Sequence, residues 1–219
     1  MIRAVVFDIG ETLIDDTRGW HQWADWLGVP RHTLSALVGA VVAQGRDNAE
    51  ALQLVRPGFD LAAERRARRH AGHIEQILES DLYPDVRPAL AELRKAGLWV
   101  GAAGNQTAAA AEQLRALDLP VDAIATSGEW GVAKPDPRFF ERLISWAPAE
   151  PDQIVYVGDH PANDVGPALA AGLRVAHLRR GPFGYLWADD PSARAATWRI
   201  DRLTDLPALL TTSYQPEVE

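Results

Sequence analysis

The chain has 219 residues, enough for one large domain or a core with a smaller insert. A chain of this length buries roughly 70–75% of its unfolded surface and needs no disulfide or structural metal. It has no cysteine, which excludes disulfide frameworks, zinc–thiolate sites, iron–sulfur clusters and cysteine nucleophiles. Against 30 acidic side chains stand 22 basic ones, a net charge of −8 that argues against non-specific nucleic-acid binding. Only two of the basic residues are lysines, Lys95 and Lys134, so few positions can host a functional amine.

The first element in chain order is an apolar, β-branched run over residues 2–7, stopped by Asp8 and Gly10, which reads as a buried strand. Its apolar part is too short for a signal-peptide core and lacks a cleavage site. No later stretch approaches the ~18 apolar residues of a membrane span. The expectation is a cytoplasmic protein with no membrane partner. From residue 16 to 82 no strand-like run occurs. Trp20, Trp23, Trp26 and Leu27 recur at helical spacing, as do Leu34, Leu37, Val38, Val41 and Val42. Residues 59–78 read as one long arginine-rich helix.

After this stretch, apolar runs alternate with helical patterns. Strands are expected at 98–103, 123–126, 154–157, 174–178 and 197–200. Helices are expected at 86–96, 107–117, 137–146 and 161–171. The first helix has Pro84 before it and Gly97 after it, and the second opens on a Thr107 cap. The tail after Thr211 is expected to fray. Strands alternating with helices predict an α/β fold, a Rossmann-like parallel sheet flanked by helices, with an inserted all-helical module. Residues 1–15 and 83–219 form the core in this reading, and residues 16–82 the insert.

Ligands of such sheets bind outside the carboxyl ends of the strands. Asp8, Gly104-Asn105, Lys134-Pro135-Asp136-Pro137 and Gly158-Asp159 with Asn163-Asp164 fall there. Three carboxylates and one lysine then converge on one edge. Crowded carboxylates repel unless a positive charge offsets them, and Lys134 or a hard divalent ion such as Mg²⁺ would do so. An aspartate in that setting can attack a phosphoryl group.

In these residues the chain resembles the haloacid dehalogenase-like superfamily of hydrolases, in its helical-cap subgroup. The resemblance covers nearly the whole chain. Its most specific parts are Gly131-Val132-Ala133-Lys134-Pro135-Asp136-Pro137 with Phe139-Phe140, and Gly158-Asp159 with Asn163-Asp164 before Ala170-Ala171-Gly172. It implies a nucleophile at Asp8 and a stabilising amine at Lys134. It also implies Mg²⁺ held by Asp8, the Gly10 carbonyl, Asp159 and Asp164, and phosphate binding around Gly104, Asn105 and Lys134. The expected activity is a phosphatase acting on a small phosphorylated metabolite through an aspartyl-phosphate on Asp8. The expected assembly is a monomer or dimer.

Two positions depart from the pattern. The family's phosphatases carry a general-acid aspartate where this chain has Gly10, and a Ser or Thr where it has Gly104. Losing a general acid costs on the order of 10²–10⁴ in rate. Glu11 is the nearest substitute, although a neighbour on a tight turn usually points elsewhere. These departures support an alternative, a catalytically impaired member that binds a ligand or partner. A 2-haloacid dehalogenase is disfavoured by Asp159, and a phosphonate-cleaving enzyme by the absence of a lysine from residues 16–82. The run Glu64 to His70 reads as a solvated helix face, the insert's tryptophans as core, and His160 as loop packing.

Overall fold

The computed structural model describes residues 1–212; the expected fraying of the tail concerns residues outside them. Six strands form one sheet: β1 (Ala4–Phe7), β2 (Trp99–Gly104), β3 (Ala123–Thr126), β4 (Ile154–Gly158), β5 (Arg174–Leu178) and β6 (Trp198–Ile200). All neighbouring pairs are parallel, in the order β3-β2-β1-β4-β5-β6. Each predicted strand is present, within two residues of its expected ends. β1 is buried along its whole length, as an interior parallel strand covered on both faces must be.

This order places a topological switch point between β1 and β4. β2 and β3 lie to one side of β1 and β4 to β6 to the other, so the crossovers diverge there and leave a crevice. Asp8 and Asp159 directly follow the two strands that border it.

The helix Pro137–Trp146 shows how the layers lock. Asp136 caps it by accepting from the Arg138 amide (2.9 Å), and Pro137 occupies the first turn, where a missing N–H costs nothing. Its buried face, Phe139, Phe140 and Leu143, packs on Val6, Ile154, Tyr156 and Val175 of the sheet. Phe140 meets the Tyr156 ring edge-on at 5.4 Å.

The chain divides into two compact units, residues 1–15 with 78–219, and residues 16–77. The second is built on the helices Thr17–Leu27, Arg31–Val42, Ala51–Val55 and Leu61–His70. Trp23 is buried in it, edge-on to Phe59 at 5.7 Å, and Trp26 donates its Nε1–H to Glu64 (2.8 Å).

Four expectations need correction. The helix foreseen over 59–78 runs only from Leu61 to His70, because Gly72 takes the left-handed φ of +84° and ends it. Its arginine run is not wholly solvated. Arg68 is buried, 4.1 Å over the Trp23 ring and paired with Glu75 (3.2 Å), because its long stem covers apolar surface. Residues 78–82 belong with the sheet unit rather than the insert. The Asp15 amide donates to Asp81 O (2.7 Å), and Ile14 bridges Leu82. Finally, the helix foreseen over 161–171 is split into a wide π-helical turn, Pro161–Val165, and a short helix, Gly166–Ala170. Pro167 has no N–H to continue the first helix into the second.

Candidate active site at the β1/β4 crevice

Asp8 leaves the end of β1 with its amide donating to Val157 O (2.8 Å), which ties it to β4. A tight turn follows. The Leu13 amide donates to Ile9 O (2.9 Å) and the Glu11 amide to Ile14 O (2.8 Å), and Gly10 bridges Ile14. Asp159 follows β4. Asp164 sits in the π-helical turn, and its Oδ2 accepts from the His160 amide (2.9 Å). His160 caps that turn through Nδ1 and stacks on Phe183 at 3.7 Å, so it packs the loop.

Lys134 joins these acids from beneath. Its ammonium donates to Asp8 Oδ1 (2.5 Å), to Asp164 Oδ1 (2.7 Å) and to the Tyr156 hydroxyl (2.9 Å), which accounts for all three of its N–H bonds. Asn105 fixes the lysine's backbone at both ends. The Lys134 amide donates to Asn105 Oδ1 (2.8 Å), and Asn105 Nδ2 donates to Lys134 O (2.9 Å). The Asn105 side chain, expected to bind phosphate, is therefore engaged in positioning Lys134.

One oxygen from each of Asp8, Asp159 and Asp164 lies within 4.8 Å of the other two. All three residues and Lys134 are buried, with at most 7% of any one exposed. Burial pushes the Asp8 carboxyl up to about 6, against the pull of the Lys134 ammonium. Burial and then the charges of Asp164, Asp8 and Glu11 raise the Asp159 carboxyl well above the usual range. Burial disfavours the Lys134 ammonium as well, yet Asp164 and Asp8 hold it firmly protonated. Three buried acids against one buried cation leave negative charge uncompensated. Clustered hard oxygen donors fit a small divalent cation such as Mg²⁺, which would supply that compensation.

Several contributors were not foreseen. Tyr156 lies within an apolar strand run; the signal available was a hydroxyl that a buried strand must satisfy. His177, on β5, donates its Nε2–H to the Asp159 carbonyl (3.1 Å), an acceptor that fixes the tautomer. Glu11 holds a left-handed φ of +52°, and its carboxylate accepts from the Tyr83 hydroxyl (2.5 Å). Arg180 lies 4.1 Å over the Tyr83 ring and donates to Thr12 O (2.8 Å). The short helix Gly181–Leu186 runs close to this group, with no room for a side chain at two of its glycines. Its Gly181 abuts Glu11, and its Gly184 comes within reach of Asp159.

The geometry agrees with known proteins. A family model for haloacid dehalogenase-like hydrolases matches residues 2–172. A phosphoserine phosphatase of Thermus thermophilus is 35% identical over 115 residues, covering 51% of this chain and 45% of that protein. This chain spans about half the length of the curated relatives it matches. Among solved structures, the HAD hydrolase YfnB of Bacillus subtilis, bound to magnesium, superposes with a TM-score of 0.70 at 15% identity, over 96% of this chain and 99% of that one. A 2-haloacid dehalogenase of Pseudomonas syringae superposes with a TM-score of 0.59 at 25% identity, over 98% and 100%. With the family model covering most of its length and the sheet, switch point and acid–lysine cluster in place, the chain belongs to the haloacid dehalogenase-like hydrolase family.

Proposed function

We propose that this protein is a Mg²⁺-dependent phosphatase of a small phosphorylated metabolite, with Asp8 as nucleophile. The observation that carries the reading is the buried Asp8–Lys134–Asp164 cluster with Asp159 beside it. Asp8, Asp159 and Asp164, with the Gly10 carbonyl, would hold the ion. Bound there, the ion would supply charge neutralisation for the approach of a phosphate ester to a carboxylate.

The Asp8 carboxylate attacks phosphorus. An O–P bond forms, the bond to the leaving alkoxide breaks, and the alkoxide takes a proton from water. A second water then attacks the aspartyl-phosphate, releasing inorganic phosphate and restoring the carboxylate. Lys134 offsets the charge of Asp8 throughout. Asp159 argues for this chemistry over dehalogenation, which has no use for an added acid at that position. Selection of the phosphorylated molecule is assigned to the helical insert, as the family resemblance implies.

Gly10 favours a second reading, a binding protein with little turnover, because no side chain at that position can move a proton. A phosphate-release screen over phosphorylated metabolites separates the two. Activity that requires Mg²⁺ and disappears in Asp8→Asn supports the enzyme. Binding of a phosphorylated ligand without release in either protein supports the second reading.

A further inference from the structure

The turn after β1 contains a residue in an uncommon conformation. Glu11 takes a left-handed φ of +52°, which costs a residue with a β-carbon far more than it costs glycine. Gly10, before it, has the widest backbone freedom of any residue type and offers the least resistance to rotation. The peptide unit between them is planar and trans, so its C=O and N–H point in opposite directions. The Glu11 amide donates to Ile14 O (2.8 Å), which turns the Gly10 carbonyl oxygen away from Ile14. The direction of that carbonyl is therefore set at residue 11.

Three consecutive residues of this turn receive hydrogen bonds from outside it. The Tyr83 hydroxyl donates to the Glu11 carboxylate (2.5 Å), Arg180 to Thr12 O (2.8 Å) and the Tyr83 amide to Leu13 O (3.1 Å). The donors support one another. The Arg180 guanidinium covers the Tyr83 ring at 4.1 Å and pairs with Asp85 (2.6 Å), whose carboxylate also accepts from the Leu203 amide (2.9 Å). Of the three bonds, the one to Glu11 is charge-assisted and is made through a side chain of the turn. Relaxing φ at residue 11 would swing that side chain away from Tyr83, so the bond and the left-handed backbone stand or fall together. The Glu11 charge also helps to raise the Asp159 carboxyl, so the turn lies within electrostatic reach of the acid cluster.

We propose that Glu11 and Tyr83 are positioning residues for the Gly10 carbonyl: the bond between their side chains keeps residue 11 left-handed, and with it the carbonyl in the direction that Mg²⁺ requires. This rests on the reading of that carbonyl as a metal ligand. It gives Glu11 a task other than proton transfer. Without the anchor, residue 11 would be left-handed for only a fraction of the time, and the apparent affinity for Mg²⁺ would fall by that fraction. In Glu11→Gly the anchor is dispensable, because glycine adopts a positive φ about as readily as a negative one.

The test is calorimetric titration of the full chain with Mg²⁺. Glu11→Ala and Glu11→Gly lose the same carboxylate and the same charge, and differ only in how readily residue 11 becomes left-handed. Glu11→Ala is expected to bind Mg²⁺ about tenfold more weakly than Glu11→Gly. Tyr83→Phe, which keeps the ring under Arg180, is expected to weaken binding about tenfold in the wild-type background and to change nothing when added to Glu11→Gly. Equal affinities for Glu11→Ala and Glu11→Gly overturn the proposal, because the backbone at residue 11 then has no bearing on the metal. A Tyr83→Phe effect of the same size in both backgrounds also overturns it and makes the tyrosine a general support of the fold. If Tyr83→Phe unfolds, the comparison of the two Glu11 variants decides alone. In each of these failures the wild-type protein still binds Mg²⁺, and the metal reading stands. A wild-type protein that binds no Mg²⁺ removes that reading, and the proposal falls with it.

Discussion

Asp8 and Asp159 sit where burial works against their charge, and that sets a pH dependence. The Asp8 carboxyl, moved from 3.8 to about 6, keeps its proton in the folded chain at pH values where the unfolded chain has released it. Folding then takes up protons, so this group makes the metal-free protein more stable as pH falls from about 6 toward 4. Mg²⁺ bound at the proposed site would work in the opposite direction, because it would have to displace the proton. Calorimetry should show its affinity falling by about tenfold per pH unit for each proton displaced, once the pH is below that of Asp8. Asp159→Ala should lose most Mg²⁺ binding at every pH; equal affinity in the two proteins would take Asp159 out of the metal shell. Gly10→Asp should raise turnover of an alkyl phosphate by roughly 10²-fold, and of p-nitrophenyl phosphate by less, since that leaving group needs no proton. Unchanged rates on both would mean that Glu11 or water already moves the proton.

The candidate residues Asp8, Asn105 and Asp159 were legible because each directly follows an apolar strand run, where a parallel sheet exposes its ligands. Their supports were not. Tyr156 reaches Lys134 across 22 residues of sequence and Ala103 across 53, and Tyr83 reaches Glu11 across 72. Such pairings depend on strand order, which local patterns do not carry. Glu11 is a case in point: the tight turn does send its carboxylate to Tyr83, but only the sheet's connections bring Tyr83 there.

At the level of elements, legibility followed length and period. The strands were recognisable because interior parallel strands are unbroken apolar runs, and Pro137–Trp146 because its buried residues recur on one helical face. The expected helix over 59–78 failed at Gly72, whose left-handed φ outweighs the helix-forming arginines before it. Gly181–Leu186 was invisible for a different reason. Its six residues include two glycines and a proline, a turn composition, yet those glycines allow its backbone to approach Glu11 and Asp159. The apolar face of Pro137–Trp146 makes a stability prediction. Phe140 is fully buried against Tyr156, so Phe140→Ala should cost about 3–5 kcal/mol in urea unfolding, the range for a large aromatic removed from a packed core. A cost below about 1 kcal/mol would show that the site collapses around the change.

For the whole molecule, membership of the haloacid dehalogenase-like hydrolases follows from a match over residues 2–172 and a parallel sheet with its acids at the switch point. The division into a sheet unit and a helical insert was legible in the sequence, because a long stretch of purely helical spacing interrupts an otherwise regular alternation of strands and helices. The division point was displaced by a few residues at its far end. Residues 78–82 resemble the insert in composition, but their backbone pairs with residues 14–15.

That pairing makes the insert a detour with a closed entrance. Outgoing and returning chain are clasped by Asp15 to Asp81, Ile14 to Leu82 and the Tyr83 amide to Leu13 O (3.1 Å), all within the sheet unit. The stem is thus held shut independently of what is threaded through it. Lengthening a loop costs only about 0.6 kcal/mol per doubling once its ends are fixed, so the sheet is nearly indifferent to the size of the detour. Joining Asp15 to Leu78 through a short Gly-Ser linker should therefore yield a sheet unit that unfolds cooperatively in urea. A molten product would show that the stem borrows its stability from the helices. If the stem holds, the helical segment is exchangeable cargo. It can then be replaced wholesale while β1 continues to deliver the same aspartate to the same place.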